Sequence, residues 1–169
     1  MQAPIGLVVP DGCTDMVALV SYSGNGRELV RALKYRGHRD ATAWIALNLQ
    51  RLLEVSRPAV CTWIPASSTS RRRNGFDHAA ILARRLAKEM RIPARKLLKR
   101  TDKGEQVGRS ASLRGANVAF ATRSKVDRRV VLVDDVITTG ASFRSAARVL
   151  RGAGATDVYG VVVAATPKR

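Results

Sequence analysis

Arg129 to Ser142 reads Arg-Val-Val-Leu-Val-Asp-Asp-Val-Ile-Thr-Thr-Gly-Ala-Ser, and no other stretch limits the possible folds so sharply. Val130 to Val133 is a run of four apolar residues, the pattern of a strand buried on both faces. Two adjacent carboxylates, Asp134 and Asp135, close it. The turn Thr138-Thr139-Gly140-Ala141-Ser142 leads into a helix predicted over Ser142 to Leu150, with Gly152 and Gly154 at its end. In an open parallel sheet, ligands sit beyond the carboxyl ends of the strands, where this turn falls.

The residue types in the turn point to an anion. Gly140 lets the backbone approach a ligand, and Thr138, Thr139 and Ser142 bring hydroxyl donors. The helix that follows presents unpaired N–H groups. A monophosphate fits there. Asp134 and Asp135 suit a sugar diol better, because carboxylates accept hydrogen bonds from vicinal hydroxyls. They also suit Mg²⁺, which prefers oxygen ligands and keeps several waters. Acid pair and turn together read as a site for a ribose 5-phosphate group. The plainer alternative is a surface turn with solvated acids, in which Ser142 merely caps the helix.

The rest of the chain alternates in the same way. Strands are predicted over Met16–Tyr22, Ala59–Ile64, Ala94–Leu98, Val118–Ala121 and Val158–Ala164, besides Val130–Val133. Helices are predicted from Arg27 through Tyr35, from Asp40 to Glu54 with Trp44, Leu47 and Leu49 on or near its buried face, and from Phe76 to Met90. Ala66 to Asn74 is a polar loop, and Thr101 to Asn117 a long glycine-rich one, of a length that is usually functional or mobile. Apolar strands alternating with helices specify an α/β domain with a parallel sheet covered on both faces.

Size agrees with one domain: 169 residues, 46% of them hydrophobic. No run approaches the roughly 20 apolar residues of a membrane span. Ile5 to Val9 is too short for a signal peptide, so a soluble cytoplasmic protein is expected. Cys13 and Cys61 are 48 positions apart, which is no metal-knuckle spacing, and Cys61 reads as core. Charge is the unusual property, with 30 basic against 13 acidic residues and a net +17. Residues 71 to 103 hold twelve Lys/Arg and three Asp/Glu. Such a field attracts polyanions, nucleic acid or a polyphosphate metabolite, and is otherwise solvated surface. Aromatics make up only 5%, which weakens a stacking groove for single strands, and Trp44 and Trp63 read as core.

Val130 to Ser142 resembles the phosphoribosyl pyrophosphate signature of type I phosphoribosyltransferases. Leu33-Lys34-Tyr35-Arg36-Gly37, the run from Ile64-Pro65 to Ala79 with Arg73-Asn74-Gly75-Phe76-Asp77-His78, and the run from Gln106-Val107-Gly108 to Phe120 resemble the ComF/GntX (competence protein F) family. The resemblance covers about residues 16 to 166. It implies a type I phosphoribosyltransferase-like α/β fold: a parallel sheet of about five strands, flanking helices, a small hood from residues 16 to 56, and a flap at 101 to 117. It also implies phosphoribosyl pyrophosphate or a nucleotide as ligand, with Mg²⁺.

By that resemblance Asp134 and Asp135 would be the catalytic pair, contacting the ribose hydroxyls and the metal. Ile137, Thr138, Thr139, Gly140, Ala141 and Ser142 would hold the 5-phosphate. Pro65, Ala66, Ser67 and Ser68 would form the pyrophosphate loop, with Arg72 and Arg73 as nearby cations. The family's usual Gly-Phe-Asn-Gln stands here as Gly75-Phe76-Asp77-His78. Members often begin with a cysteine-rich zinc segment, and this chain shows no such cysteines. Two function classes follow: a transferase of the pentosyl group, linked to DNA uptake or nucleotide salvage, or a non-catalytic basic accessory protein that binds DNA and retains the ligand site. Arg71 to Arg73 serve either class or neither. Lys34, Tyr35 and Arg36 end a helix, where cations suit the dipole. His78 reads as a cap or partner residue, and His38 as surface.

Overall fold

The computed structural model describes residues 7–34, 39–53, 55, 58–101, 119–122 and 124–166. In chain order the elements are β1 (Asp15–Ser21), α1 (Asn25–Lys34), α2 (Arg39–Leu52), β2 (Val60–Trp63), α3 (Ser68–Asn74) and α4 (His78–Met90). β3 (Lys99–Thr101), β4 (Ala119–Ala121), β5 (Arg129–Ile137), α5 (Ala141–Gly152) and β6 (Asp157–Ala165) follow.

Four strands form a parallel sheet in the order β1-β6-β5-β2, and β3 and β4 make a separate antiparallel pair. β5 and β6 lie at its centre, and their Val130, Val131, Leu132, Val133, Val158 and Val161 are fully buried. The two faces carry separate cores. Val130, Leu132, Val158 and Val162 pack with Phe143, Ala146 and Leu150 of α5 on one face. Val131, Val133, Val161 and Val163 pack on the other with Leu82 and Leu86 of α4 and Ile45 and Leu49 of α2. Burial on both faces is why these strands are near-continuous apolar runs. The N-terminal segment supplies the edge strand β1 and the helices α1 and α2.

Four local expectations are corrected. The strand over Ala94–Leu98 is reduced to a single parallel bridge, Cys61 with Ala94. Cys61 N donates to Pro93 O and Arg95 N to Cys61 O, but Leu97 N then donates to the Thr62 hydroxyl, which ends the ladder. A fifth strand is therefore present only in outline. The polar loop Ala66–Asn74 contains helix α3, started by Ser67, whose Oγ accepts from Ser70 N at 3.1 Å. β5 runs past the acid pair to Ile137. Trp44 and Leu47 are 42% and 37% exposed, because the buried stripe of α2 is Ile45, Ala46 and Leu49. Trp63 and Cys61 are core, as expected, with the Arg84 guanidinium 5.4 Å from the Trp63 ring centroid. Tyr35, Arg36, His38 and nearly all of the 101–117 loop lie outside the described residues, as does the Lys34 side chain.

Candidate functional site

Strand register brings two distant segments to one end of the sheet. β2 pairs with β5 through Trp63 and Val133, and Ile64 N donates to Val133 O at 2.9 Å. Pro65 therefore leaves β2 level with the point where Asp134 leaves the buried part of β5. A cleft of about 210 Å³ opens there. Pro65, Ala66 and Ser67 line one part of it, Asp134, Asp135 and Ser142 another.

Adjacent strand residues ordinarily face opposite sides. Asp134 and Asp135 line the same cleft, so the alternation lapses at this level although β5 keeps its register with β6, Asp134↔Val162 and Val136↔Ala164. Beyond this level Val136 packs with the face of Val131 and Val133. Asp135 N donates to Asp134 Oδ1 at 2.8 Å. Burial, then the Asp135 carboxylate, then Asp77 hold the half-buried Asp134 carboxyl well above the ordinary carboxylate range.

Three further residues face this cleft without having been assigned to the ligand from sequence. Asp77 caps α4, accepting from Ala80 N at 3.3 Å, while its other oxygen accepts from Ala66 N at 3.2 Å. It thus ties the loop after β2 to α4. His78 is buried beside it, with its ring 4.5 Å from that of Phe76 and edge-on. Arg100 of β3 reaches in from the hairpin, its Nη1 3.5 Å from the Pro65 carbonyl. The capping role of Asp77 has a sequence signal, an acid just before an apolar-periodic run. Arg100 has none, because only tertiary packing brings the hairpin to the sheet end.

The hydroxyl turn divides. Ser142 faces the cleft of the acids, but Ile137, Thr138, Thr139 and Gly140 line a second cleft of about 140 Å³ with Arg144 and the chain before β1. Gly140 has φ 73°, a left-handed conformation that glycine adopts without strain, and a Cβ there would lie 3.2 Å from Pro10 Cγ. Arg144 Nη1 donates to Thr139 O at 3.1 Å, and Thr139 Oγ1 accepts from Ala141 N at 3.4 Å. Ala141 opens α5 and lines neither cleft. Ser68 and Arg72 are exposed on α3 and also line neither. The Arg73 side chain lies outside what the structure describes.

The acid pair fits Mg²⁺ in a limited way. Like charges crowd Asp134, and a divalent cation would relieve that repulsion. Among the described residues no group of three or more His, Cys, Asp or Glu could hold a metal alone. The chain thus offers one or two carboxylates rather than a cage, the usual protein share for Mg²⁺ held jointly with a ligand's phosphates.

A parallel sheet with an acid pair and a strand–turn–helix segment at its carboxyl end defines the class, an α/β domain of type I phosphoribosyltransferase-like fold. Residues 72–169 match the family model of the phosphoribosyl transferase domain, and the chain belongs to that family. It is 30% identical over 134 residues to Competence protein F of Haemophilus influenzae (strain ATCC 51907 / DSM 11121 / KW20 / Rd), covering 68% of this chain and 58% of that protein. Among solved structures it resembles the allosteric regulatory enzyme of purine biosynthesis, with TM-score 0.53 and 25% identity, over 79% of this chain and 30% of that one. A purine phosphoribosyltransferase from Pyrococcus horikoshii Ot3 aligns with TM-score 0.45 and 18% identity over 89% of each chain. The chain thus spans little more than half of its curated relative and under a third of the regulatory enzyme. No helix among the described residues is long and apolar enough to cross a membrane.

Proposed function

We propose that this protein binds phosphoribosyl pyrophosphate together with Mg²⁺. The observation that carries the reading is the convergence of Asp134, Asp135 and Ser142 with the Pro65–Ser67 loop on one cleft. Asp134 and Asp135 accept the ribose hydroxyls and share the metal with the ligand. Ser142 on this cleft, with the adjoining turn from Ile137 to Ala141 that borders the second cleft, takes the 5-phosphate, and the loop after β2 lies on the pyrophosphate side. In transfer, the bond from C1 to pyrophosphate breaks as a nitrogen nucleophile bonds to C1. Mg²⁺ supplies charge stabilisation for the departing pyrophosphate. The chain's own contribution is orientation and electrostatics, with the acids fixing the sugar.

Calorimetric titration of the purified chain with phosphoribosyl pyrophosphate and Mg²⁺ tests this. Saturable binding is expected, abolished by Asp134→Asn with Asp135→Asn. No binding at millimolar ligand sinks the reading. The net charge of +17 favours a second reading, a basic accessory protein that binds DNA and keeps the ligand site.

A further inference from the structure

The turn between β5 and α5 borders the second cleft, and toward Arg144 it presents an acceptor. Arg144 stands half-buried in the first turn of α5, and its Nη1 donates to the Thr139 carbonyl at 3.1 Å. The peptide between Thr139 and Gly140 is planar and trans, so its N–H points opposite to its carbonyl. Holding the Thr139 oxygen toward Arg144 therefore directs the Gly140 N–H away from Arg144. Among the described residues, neither Thr139 N–H nor Gly140 N–H donates to a protein acceptor. Gly140 is also the N-cap of α5, with no side-chain cap hydrogen bond there. Successive unpaired N–H groups at such a turn are the donors that an anion takes.

Glycine visits positive and negative φ with similar ease, so its own preference does not fix this peptide. The surroundings do. A Cβ on Gly140 would meet Pro10 Cγ at 3.2 Å and Arg144 Nη1 at 3.6 Å, so buried Pro10 and Arg144 back the residue from one side. Arg151 pins the chain that carries Pro10, its Nε donating to Gly12 O at 2.6 Å and its Nη2 to Thr14 Oγ1 at 3.0 Å. An anion that accepts from Gly140 N–H lies across the peptide from the Arg144 guanidinium. We infer that Arg144 is a positioning residue: it holds the Thr139 carbonyl and so aims the Gly140 N–H at the 5-phosphate, without touching the phosphate itself.

This rests on the proposed ligand, and the test separates the two. Calorimetry on the full chain compares ribose 5-phosphate with the Mg²⁺ complexes of pyrophosphate and phosphoribosyl pyrophosphate, for the wild type, Arg144→Met and Arg144→Lys. Arg144→Met keeps a long apolar stem and loses the donors. It should weaken both ribose phosphates about five- to tenfold and leave pyrophosphate within about twofold, which also reports an intact fold. Arg144→Lys, which keeps a donor, should recover part of the loss. The salt dependence of ribose 5-phosphate binding should be the same in Arg144→Met as in the wild type, because the lost charge does not face the phosphate. By NMR, the Gly140 amide proton should shift on adding ribose 5-phosphate, and shift less in Arg144→Met. Unchanged ribose 5-phosphate affinity in Arg144→Met overturns the inference and leaves the proposed function standing. So does an equal loss for pyrophosphate, or a flattened salt dependence, which would mean direct contact of charge with phosphate. A wild-type chain that does not bind phosphoribosyl pyrophosphate overturns both.

Discussion

Asp134 is half-buried with the Asp135 carboxylate beside it and Asp77 close by, so its ionised form is disfavoured in the folded chain. A raised carboxyl means that the folded chain holds this proton more tightly than the unfolded one. Its contribution to stability is present below about pH 3.8 and falls as pH rises through the raised value. Wherever the carboxyl is ionised, its charge is a liability that a bound cation would offset. Asp134→Asn keeps an oxygen to accept from Asp135 N and removes the charge. It should raise the midpoint of thermal unfolding at pH 7 by about 2–4 °C, what ~1 kcal/mol amounts to in a chain of this length. Scanning calorimetry at pH 7 and pH 3 checks this, since the gain should shrink at the acid end. The same substitution should weaken binding of the Mg²⁺ complex of phosphoribosyl pyrophosphate at least tenfold. Stability and ligand affinity then move in opposite directions, as expected where a binding site keeps like charges together.

The elements that meet at the cleft differ in how far their own sequences announced them. β5 and α5 were legible because an apolar run and a helical period need only local sequence. The lapse of alternation at Asp135 was not, because no local pattern says which way each acid faces. α3 was hidden by its polar composition, although Ser67 and Ser70 carry the capping geometry. The junction between the β2 loop and α4 rests on one side chain, Asp77, which accepts from both Ala80 N and Ala66 N. Asp77→Ala removes the cap and the tie together. It should cost about 1 kcal/mol in chemical denaturation, the usual loss for an N-cap. Asp77→Asn should recover most of that loss, since asparagine caps equally well, but its single carbonyl oxygen serves both donors poorly.

The whole molecule carries a net charge of +17, distributed well beyond the cleft. Arg84, Arg148 and Lys125, for example, lie on α4, on α5 and in the segment before β5, so basic residues are not confined to the cleft. Fluorescence anisotropy with double-stranded DNA should show affinity falling at least tenfold between 50 and 200 mM salt, with no preference for sequence. Phosphoribosyl pyrophosphate should leave that affinity unchanged if charge alone is responsible. A ligand effect lost in Asp134→Asn would instead tie DNA binding to the cleft and support the accessory reading.

The sequence by itself determined the α/β class, the parallel sheet and the segment from Val130 to Leu150, because burial period, turn chemistry and helix signals all act over a few residues. Only the tertiary structure decided which groups share a cleft. Register between β2 and β5 set Pro65 beside Asp134, the lapse at Asp135 turned two neighbouring acids to one side, and hairpin packing delivered Arg100 in place of Arg72. Those outcomes depend on contacts between residues far apart in the chain, which no local pattern encodes.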